Sequence, residues 1–258
     1  MSGPRITLTG AGGALGLVLR PRLIARGAVL TSAGHRCPAP IAPGERVLGG
    51  DLRDDLVVDQ ALQGAEVVIH MAGSSVEKPL ATIIENNLVA LQRVYEGARR
   101  HGVKRVVFAS SNHTIGMYQA GERLKLSDPV RPDGNYGLSK VWGEAMGRLY
   151  WDKFGIETVA LRIGSALAAP AEPRHLSTWL GHEDMEALVW QALSVPDVGF
   201  LTVWGVSANT RGWWDNAQAA ALGYQPRQNA EDYAAAILAR PDPGWLCQGG
   251  SFATADVQ

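Results

Sequence analysis

Arg5-Ile6-Thr7-Leu8-Thr9 runs directly into Gly10-Ala11-Gly12-Gly13-Ala14-Leu15-Gly16, and the reading of this stretch decides the fold. The first five residues alternate polar and apolar side chains, as a short strand does. The glycines then recur as G-x-x-G-x-x-G at the opening of a helix-like segment. Each has a distinct task in a dinucleotide-binding turn: Gly10 for the tight turn, Gly13 for close approach of backbone to a pyrophosphate, Gly16 for packing of helix on sheet. The start of the helix then offers N–H donors and a positive dipole end to phosphate oxygens. The uncharged run from Ile6 to Leu19 resembles the apolar core of a signal peptide in length, but its two Thr and four Gly fit a strand and turn better.

Outward from this turn, short runs rich in Val, Ile and Leu recur at Ala28–Ser32, Arg46–Leu48, Glu66–His70, Val103–Ser110, Glu157–Ile163 and Phe200–Trp204. Near-continuous apolar runs suit strands covered on both faces. Helix-like segments lie between them. The clearest, Leu80 to Arg100, places Leu80, Ile83, Ile84, Leu88, Leu91, Val94, Tyr95 and Ala98 in one stripe. Arg99, Arg100 and His101 suit the negative end of its dipole, and Gly102 supplies the stop. The alternation predicts an α/β fold, a Rossmann-type doubly wound parallel sheet with a small C-terminal substrate lobe. The dinucleotide-binding core is expected over residues 1–164 and the lobe over 165–258, as parts of one compact unit.

Composition narrows the functions. The chain has 258 residues, with 24 Lys+Arg against 25 Asp+Glu, so no basic footprint for nucleic acid exists. No apolar stretch is long enough to span a membrane. Two cysteines, Cys37 and Cys247, cannot build a disulfide framework or a four-ligand zinc site, so no metal and a cytoplasmic setting are expected. The eight Trp all follow residue 140. Most are expected in the core, although a Trp can also stack on a sugar face. A helix pair on a sheet of this type commonly forms a symmetric interface, so a homo-oligomer is expected.

The cofactor is left open by the second strand. An NAD site of this type carries Asp or Glu near that strand's end for the ribose 2′-OH. Here Glu45 is the first acid in the chain, and the strand ends in Ser32-Ala33-Gly34-His35-Arg36. Small residues followed by Arg36 suit a 2′-phosphate, so the local chemistry leans to NADP. Asp51, after Gly49 and Gly50, is placed to reach the adenine edge.

Tyr136-Gly137-Leu138-Ser139-Lys140 opens another helix-like segment, with Tyr and Lys on one face. A free tyrosine has a pKa of about 10, too high for a base near neutrality. An adjacent ammonium favours the phenolate, and Lys140 is expected to supply it and to hold the cofactor ribose. Upstream, the strand Val106-Val107-Phe108-Ala109-Ser110-Ser111-Asn112 ends in hydroxyls and an amide, and Ser111 is placed to orient a reacting oxygen.

Together these residues resemble the short-chain dehydrogenase/reductases of the extended type. The glycine turn, Asp51-Leu52, His70-Met71-Ala72-Gly73, Asn87, Ser111 and the Tyr136/Lys140 pair carry that resemblance. Within that superfamily the chain is similar to the uronate dehydrogenases. The strings Ser75-Val76-Glu77-Lys78-Pro79, Arg131-Pro132-Asp133-Gly134, Arg162-Ile163-Gly164-Ser165 and Leu176-Ser177-Thr178-Trp179 share in that likeness, and Ser110-Ser111-Asn112-His113-Thr114-Ile115-Gly116 and Gly212-Trp213-Trp214-Asp215-Asn216 are the ones specific to that family. The resemblance implies oxidation of a hexuronic acid, glucuronate or galacturonate, at C1 to an aldaric acid lactone, with hydride passing to NAD(P)+. It implies Tyr136 as base, Lys140 and Ser111 as its catalytic partners, and Gly10, Gly13, Gly16, Arg36, Asp51, Leu52, Ala72 and Lys140 along the cofactor. It further implies Ser75, Ser111, Asn112, His113 and Ser165 on the sugar. Arg174 is the residue expected to grip the carboxylate, since a planar guanidinium binds it bidentately. His113 and His70 are expected as hydrogen-bonded site lining, and Asn87 as architecture. The family pattern pairs NAD with an acid at the end of the second strand, where this chain has Gly34. Two other readings share the turn and the Tyr/Lys pair: a sugar-nucleotide epimerase or dehydratase, and a non-catalytic dinucleotide-binding sensor.

Overall fold

The structure, a computed structural model, describes residues 3–257. Seven parallel strands form one sheet in the order β3-β2-β1-β4-β5-β6-β9. The strands are β1 (Arg5–Thr9), β2 (Val29–Gly34), β3 (Arg46–Gly49), β4 (Val67–His70), β5 (Arg105–Ser111), β6 (Glu157–Ile163) and β9 (Phe200–Gly205). The two-residue strands β7 (Ser165–Ala166) and β8 (Trp179–Leu180) pair beside it. This is the doubly wound Rossmann-type sheet that the alternation predicts.

Helices cover both faces, and strand side chains divide between them with a period of two. On one face Ile69, Val107, Val159 and Leu161 pack with Leu19 and Leu23 of α1 (Ala14–Ala25) and Leu188 and Val189 of α7 (His182–Ser194). On the other, Val68, Val106, Phe108 and Ala160 pack with α2 (Asp55–Leu62), α4 (Ala90–His101) and α5 (Asn135–Phe154). Burial on both sides is why these strands read as unbroken apolar runs. The short helices α3 (Leu80–Ile83), α6 (His175–Thr178) and α8 (Ala234–Leu238) complete the set. After residue 164 the chain divides its work: α7 and β9 extend the sheet and its cover, while α6, α8 and the C-terminal segment pack beside the carboxyl ends of the strands.

The predicted continuous helix over 80–100 is broken in register. Between α3 and α4 lies one π-helical turn, Ile84–Val89. The extra residue rotates the stripe, so that Leu80 and Ile84 face solvent while Ile83, Leu91, Val94, Tyr95 and Ala98 stay buried. The turn also carries Asn87 inward. Its Oδ1 accepts from the Ser74 N–H at 2.7 Å, and its Nδ2 donates to Ser139 Oγ at 2.9 Å and to the Ser74 carbonyl. The Asn87 side chain therefore ties the loop after β4 to α5.

Strand order reverses between β1 and β4, and an open α/β sheet holds ligands in the crevice at that switch point. Among the described residues no helix is long and apolar enough to cross a membrane. No group of three or more His, Cys, Asp or Glu among them is placed to hold a metal ion.

Candidate active site

A single cleft follows the carboxyl ends of β1, β4, β5 and β6. Its floor at one end is the glycine turn. Gly10 has φ +71°, and a Cβ there would lie 2.7 Å from the backbone of Met71 and Ala72. Gly13 is the N-cap of α1, and no side chain caps that helix's first turn, so its leading amides face the cleft as donors. Gly12, which the G-x-x-G-x-x-G reading passes over, is as constrained as the others: a Cβ there would overlap the Arg36 carbonyl oxygen. The glycine cradle and uncapped helix start fit a dinucleotide pyrophosphate.

The adenosine end is a hollow of about 410 Å3 lined by Gly34, His35, Arg36, Asp51, Leu52 and Arg53, with Ala72 at its inner edge. Arg53 is engaged: it bonds Asp51 at 2.6 Å and Glu85 at 2.7 Å. Hydrogen bonds from Arg53 hold the Asp51 carboxyl down at about 2. Arg36 is exposed and makes no ion pair among the described residues.

The other end is a cavity of about 530 Å3. Tyr136, Lys140, Ser111, Asn112, His113, Ser75, Ser165 and Arg174 all line it, although they come from five separate segments. The framework behind them is specific. Glu77 caps α5, accepting from the N–H groups of Asn135 (2.9 Å) and Tyr136 (3.0 Å). One turn beyond Lys140, Glu144 accepts from Ser110 Oγ (2.6 Å) and from Arg162 Nε (2.9 Å), which locks α5 to β5 and β6. Ser111 Oγ accepts from the His113 N–H at 3.2 Å, so its own proton is free to point at the Tyr136 oxygen, with which it bonds.

The electrostatics differ from the sequence expectation in one respect. Lys140 does not dominate the phenol. Its Nζ donates to the Ala109 carbonyl at 2.8 Å and lies 5.4 Å from the Tyr136 ring centre. Burial pushes Tyr136 up to about 12, against the lowering effect of the Ser111 hydrogen bond. Burial also brings Lys140 down to about 8. A phenolate here therefore needs positive charge beyond what the fold alone presents.

Arg174 lies at the far wall, where burial lowers its pKa from the ordinary guanidinium value. Nε donates to the Gln248 carbonyl at 2.6 Å and Nη1 to Ser165 Oγ at 3.1 Å. With the Asn112 amide nitrogen on the Ile163 carbonyl (3.0 Å), its oxygen accepts from Arg174 Nη2 at 2.9 Å. One N–H on each terminal nitrogen remains, which is a fork of the shape a carboxylate takes.

One sequence expectation changes. His70 is not site lining. It is wholly buried at the end of β4, bonds Thr9 Oγ1 at 2.9 Å, and is pushed down to about 3 by burial. The late Trp residues do not line the cleft: Trp204 and Trp214 stack on one another at 4.8 Å within a core beside it. Beside Tyr136, Phe252 also lines it, stacked on His113 at 4.0 Å. Phe252 and Gln248 carry no local signature, and Glu77 and Asp133, though within the quoted strings, show their roles only when distant segments meet.

Comparison with known proteins agrees with this arrangement. The NAD dependent epimerase/dehydratase family model matches residues 6–213. A uronate dehydrogenase of Pseudomonas putida is 45% identical over 97% of this chain and 96% of its own. One from Agrobacterium fabrum is 44% identical over 96% of each. Among solved structures, a tyrosine-to-alanine mutant of the Agrobacterium tumefaciens uronate dehydrogenase, complexed with NAD, superposes with a TM-score of 0.95 at 42% identity, covering 99% of this chain and 98% of that one.

Proposed function

This chain belongs to the NAD dependent epimerase/dehydratase family and, within it, to the uronate dehydrogenases, and from that premise we propose that it oxidises a hexuronic acid at C1 with a nicotinamide cofactor. The observation that carries this reading is one cavity holding both an acid–base group, Tyr136, and a guanidinium fork, Arg174. The fork suits a carboxylate, and the 44–45% identity to uronate dehydrogenases over nearly the whole chain favours that anion over the diphosphate of a sugar nucleotide. The Tyr136 hydroxyl answers the sensor reading, since a merely binding fold needs no base.

The mechanism follows from the residues. Arg174 and Ser165 hold the carboxylate end, while Ser75, Asn112 and His113 hold ring hydroxyls. Ser111 donates to the anomeric oxygen and Tyr136 takes its proton. Lys140, with N–H groups to spare beyond its bond to Ala109, binds the cofactor ribose. An oxidised nicotinamide, held by the glycine turn and Lys140, would supply the hydride acceptor and a positive charge that favours the phenolate. As the C1–H pair leaves as hydride and the hydroxyl proton passes to Tyr136, the anomeric C–O becomes the carbonyl of a lactone. Residues 165–258 supply Ser165, Arg174 and Phe252 to the sugar, and we assign them the substrate-binding role.

For the adenosine end, NAD fits the cradle, and we further propose that NADP is the preferred form. Gly34 leaves no acid for a 2′-hydroxyl, and Arg36 stands unpaired at the same rim among the described residues. A charge-assisted bond to a phosphate is worth about 1.5–3 kcal/mol. The test is an absorbance assay of reduced nicotinamide, crossing NAD and NADP with glucuronate, galacturonate, glucose and galactose. Turnover of the uronates far above that of the neutral sugars supports the reaction. Equal turnover of glucose and glucuronate would remove it. Saturation by NAD at far lower concentration than NADP would remove the cofactor preference alone.

A further inference from the structure

We propose that Asp133 is a positioning residue of this site: its carboxylate fixes His113 as the Nδ1–H tautomer and so presents Nε2 to the cleft as the acceptor for a sugar-ring hydroxyl. The inference rests on the uronate reading above and adds to it a residue outside the cavity wall.

Asp133 precedes α5, and its side chain is fully buried. An ionised carboxylate in such a place is costly unless compensated. Among the described residues its one hydrogen-bonding partner is His113 Nδ1, 2.6 Å from Oδ2, and Oδ1 has none. The acid has little room to turn elsewhere. A Cβ on Gly116 or on Gly249 would overlap Oδ2, and these two glycines are themselves joined, N–H of 249 to carbonyl of 116, at 2.9 Å. The backbone holds the pair in register, with Arg131 N–H on the Thr114 carbonyl at 2.9 Å.

The ring is pinned on its other sides. Phe252 stacks on one face at 4.0 Å, and Tyr136 meets it edge-on at 5.5 Å. Only 13% of the His113 side chain is exposed, and the residue lines the cavity. Nδ1 is spent inward on the acid. A carboxylate accepts, so the proton of the neutral ring sits on Nδ1 and the lone pair on Nε2. Of the neighbouring groups that line the same space, the Arg174 fork donates, while the Ser111 hydroxyl accepts from the His113 N–H and gives its own proton to the Tyr136 oxygen. A sugar hydroxyl that gives its own proton needs an acceptor, and Nε2 is the one the Asp133–His113 pair provides, beside the Glu172 carboxylate on the same cavity wall. Glu172 and, to a lesser degree, Asp133 favour the charged form of Arg174 against its burial.

The first measurement is the 15N spectrum of histidine-labelled protein without substrate, with His113 assigned by loss of its signals in His113→Gln. The proposal expects a neutral ring protonated at Nδ1. A ring protonated at Nε2 would overturn it whatever the variants do. In Asp133→Asn the amide offers a donor to Nδ1 and should move the proton to Nε2, as the same exchange does in Ser-His-Asp triads. With it, KM for the uronate should rise roughly ten- to hundredfold, with kcat and the KM for cofactor little changed. In a His113→Gln background the Asp133→Asn exchange should add less than about threefold, because the two act as a unit. An undiminished penalty in that background, or an unchanged KM in the single variant, would make Asp133 scaffold only. Wild-type protein inactive on both uronates would instead overturn the reaction reading, which the substrate-free spectrum does not depend on.

Discussion

Replacing Arg174 by Met separates substrate recognition from the rest of the site. In the structure the guanidinium spends three bonds on the protein, to Gln248, Ser165 and Asn112, and keeps one N–H on each terminal nitrogen for a ligand. A charge-assisted fork to a carboxylate contributes about 1.5–3 kcal/mol. At about 1.4 kcal/mol per factor of ten, kcat/KM for glucuronate or galacturonate should fall roughly 10- to 150-fold. A neutral aldose has no carboxylate to lose, so its slow turnover should change by less than about threefold. The ratio between charged and neutral substrates is therefore the informative quantity. Arg174→Lys keeps the charge but not the planar fork, and should recover only part of the loss. The assay is the initial rate of nicotinamide reduction with each sugar, beside cofactor titration and thermal unfolding of each variant. The wild-type value must favour the uronate for the ratio to carry meaning. Equal losses on the uronate and the neutral sugar would refute the reasoning, because Arg174 would then act only by holding Gln248 and Asn112 in place.

Three further outcomes follow from the same geometry. Arg36→Ala should raise the KM for NADP about tenfold or more while leaving that for NAD within about threefold, read by cofactor titration at saturating uronate. Gly12→Ala should weaken both cofactors together, because the added Cβ strikes the Arg36 carbonyl rather than a mobile side chain; calorimetry against NAD and NADP checks this. Glu45→Gln should cost about 3–5 kcal/mol in urea unfolding, since it leaves buried Arg20 without its counter-charge. Burial opposes the Glu45 charge, yet the Arg20, Ser32 and Ile41 hydrogen bonds outweigh it and depress the carboxyl. Its contribution to stability is thus complete above about pH 4.3 and is lost as pH falls through the lower folded value.

Residues that act through local pattern were legible, and residues that act through tertiary encounter were not. The strands of the sheet stand out because both faces are covered and the runs stay apolar, as at Val106–Val107 and Val159–Leu161. The turn at Gly10–Gly16 and the Tyr136/Lys140 spacing are short-range patterns, and the structure brings both to one cleft. The π-helical turn at 84–89 left no mark, because a stripe at intervals of three and four runs straight through it; only the bonds of Asn87 reveal it. Gly12 is constrained by a carbonyl at residue 36, and no local spacing encodes that. Phe252 and Gln248 reach the site from the far end of the chain, and Asp133 becomes informative only once His113 is seen against it. His70 was misread for the opposite reason. A histidine at a strand end resembles a site residue locally, but its ring turns into the core, where the buried Trp residues lie as expected.

At the centre of the mechanism the Tyr136 phenolate removes a proton from the anomeric hydroxyl and becomes the phenol. Tyr136→Phe keeps the ring, its contact with His113 and the shape of the cavity, and deletes one oxygen. The account predicts a fall in kcat for uronate oxidation of about 10²–10⁴, the usual worth of a general base, with the dissociation constant for the cofactor unchanged. A variant that binds cofactor normally and turns over uronate within tenfold of the wild type would contradict it.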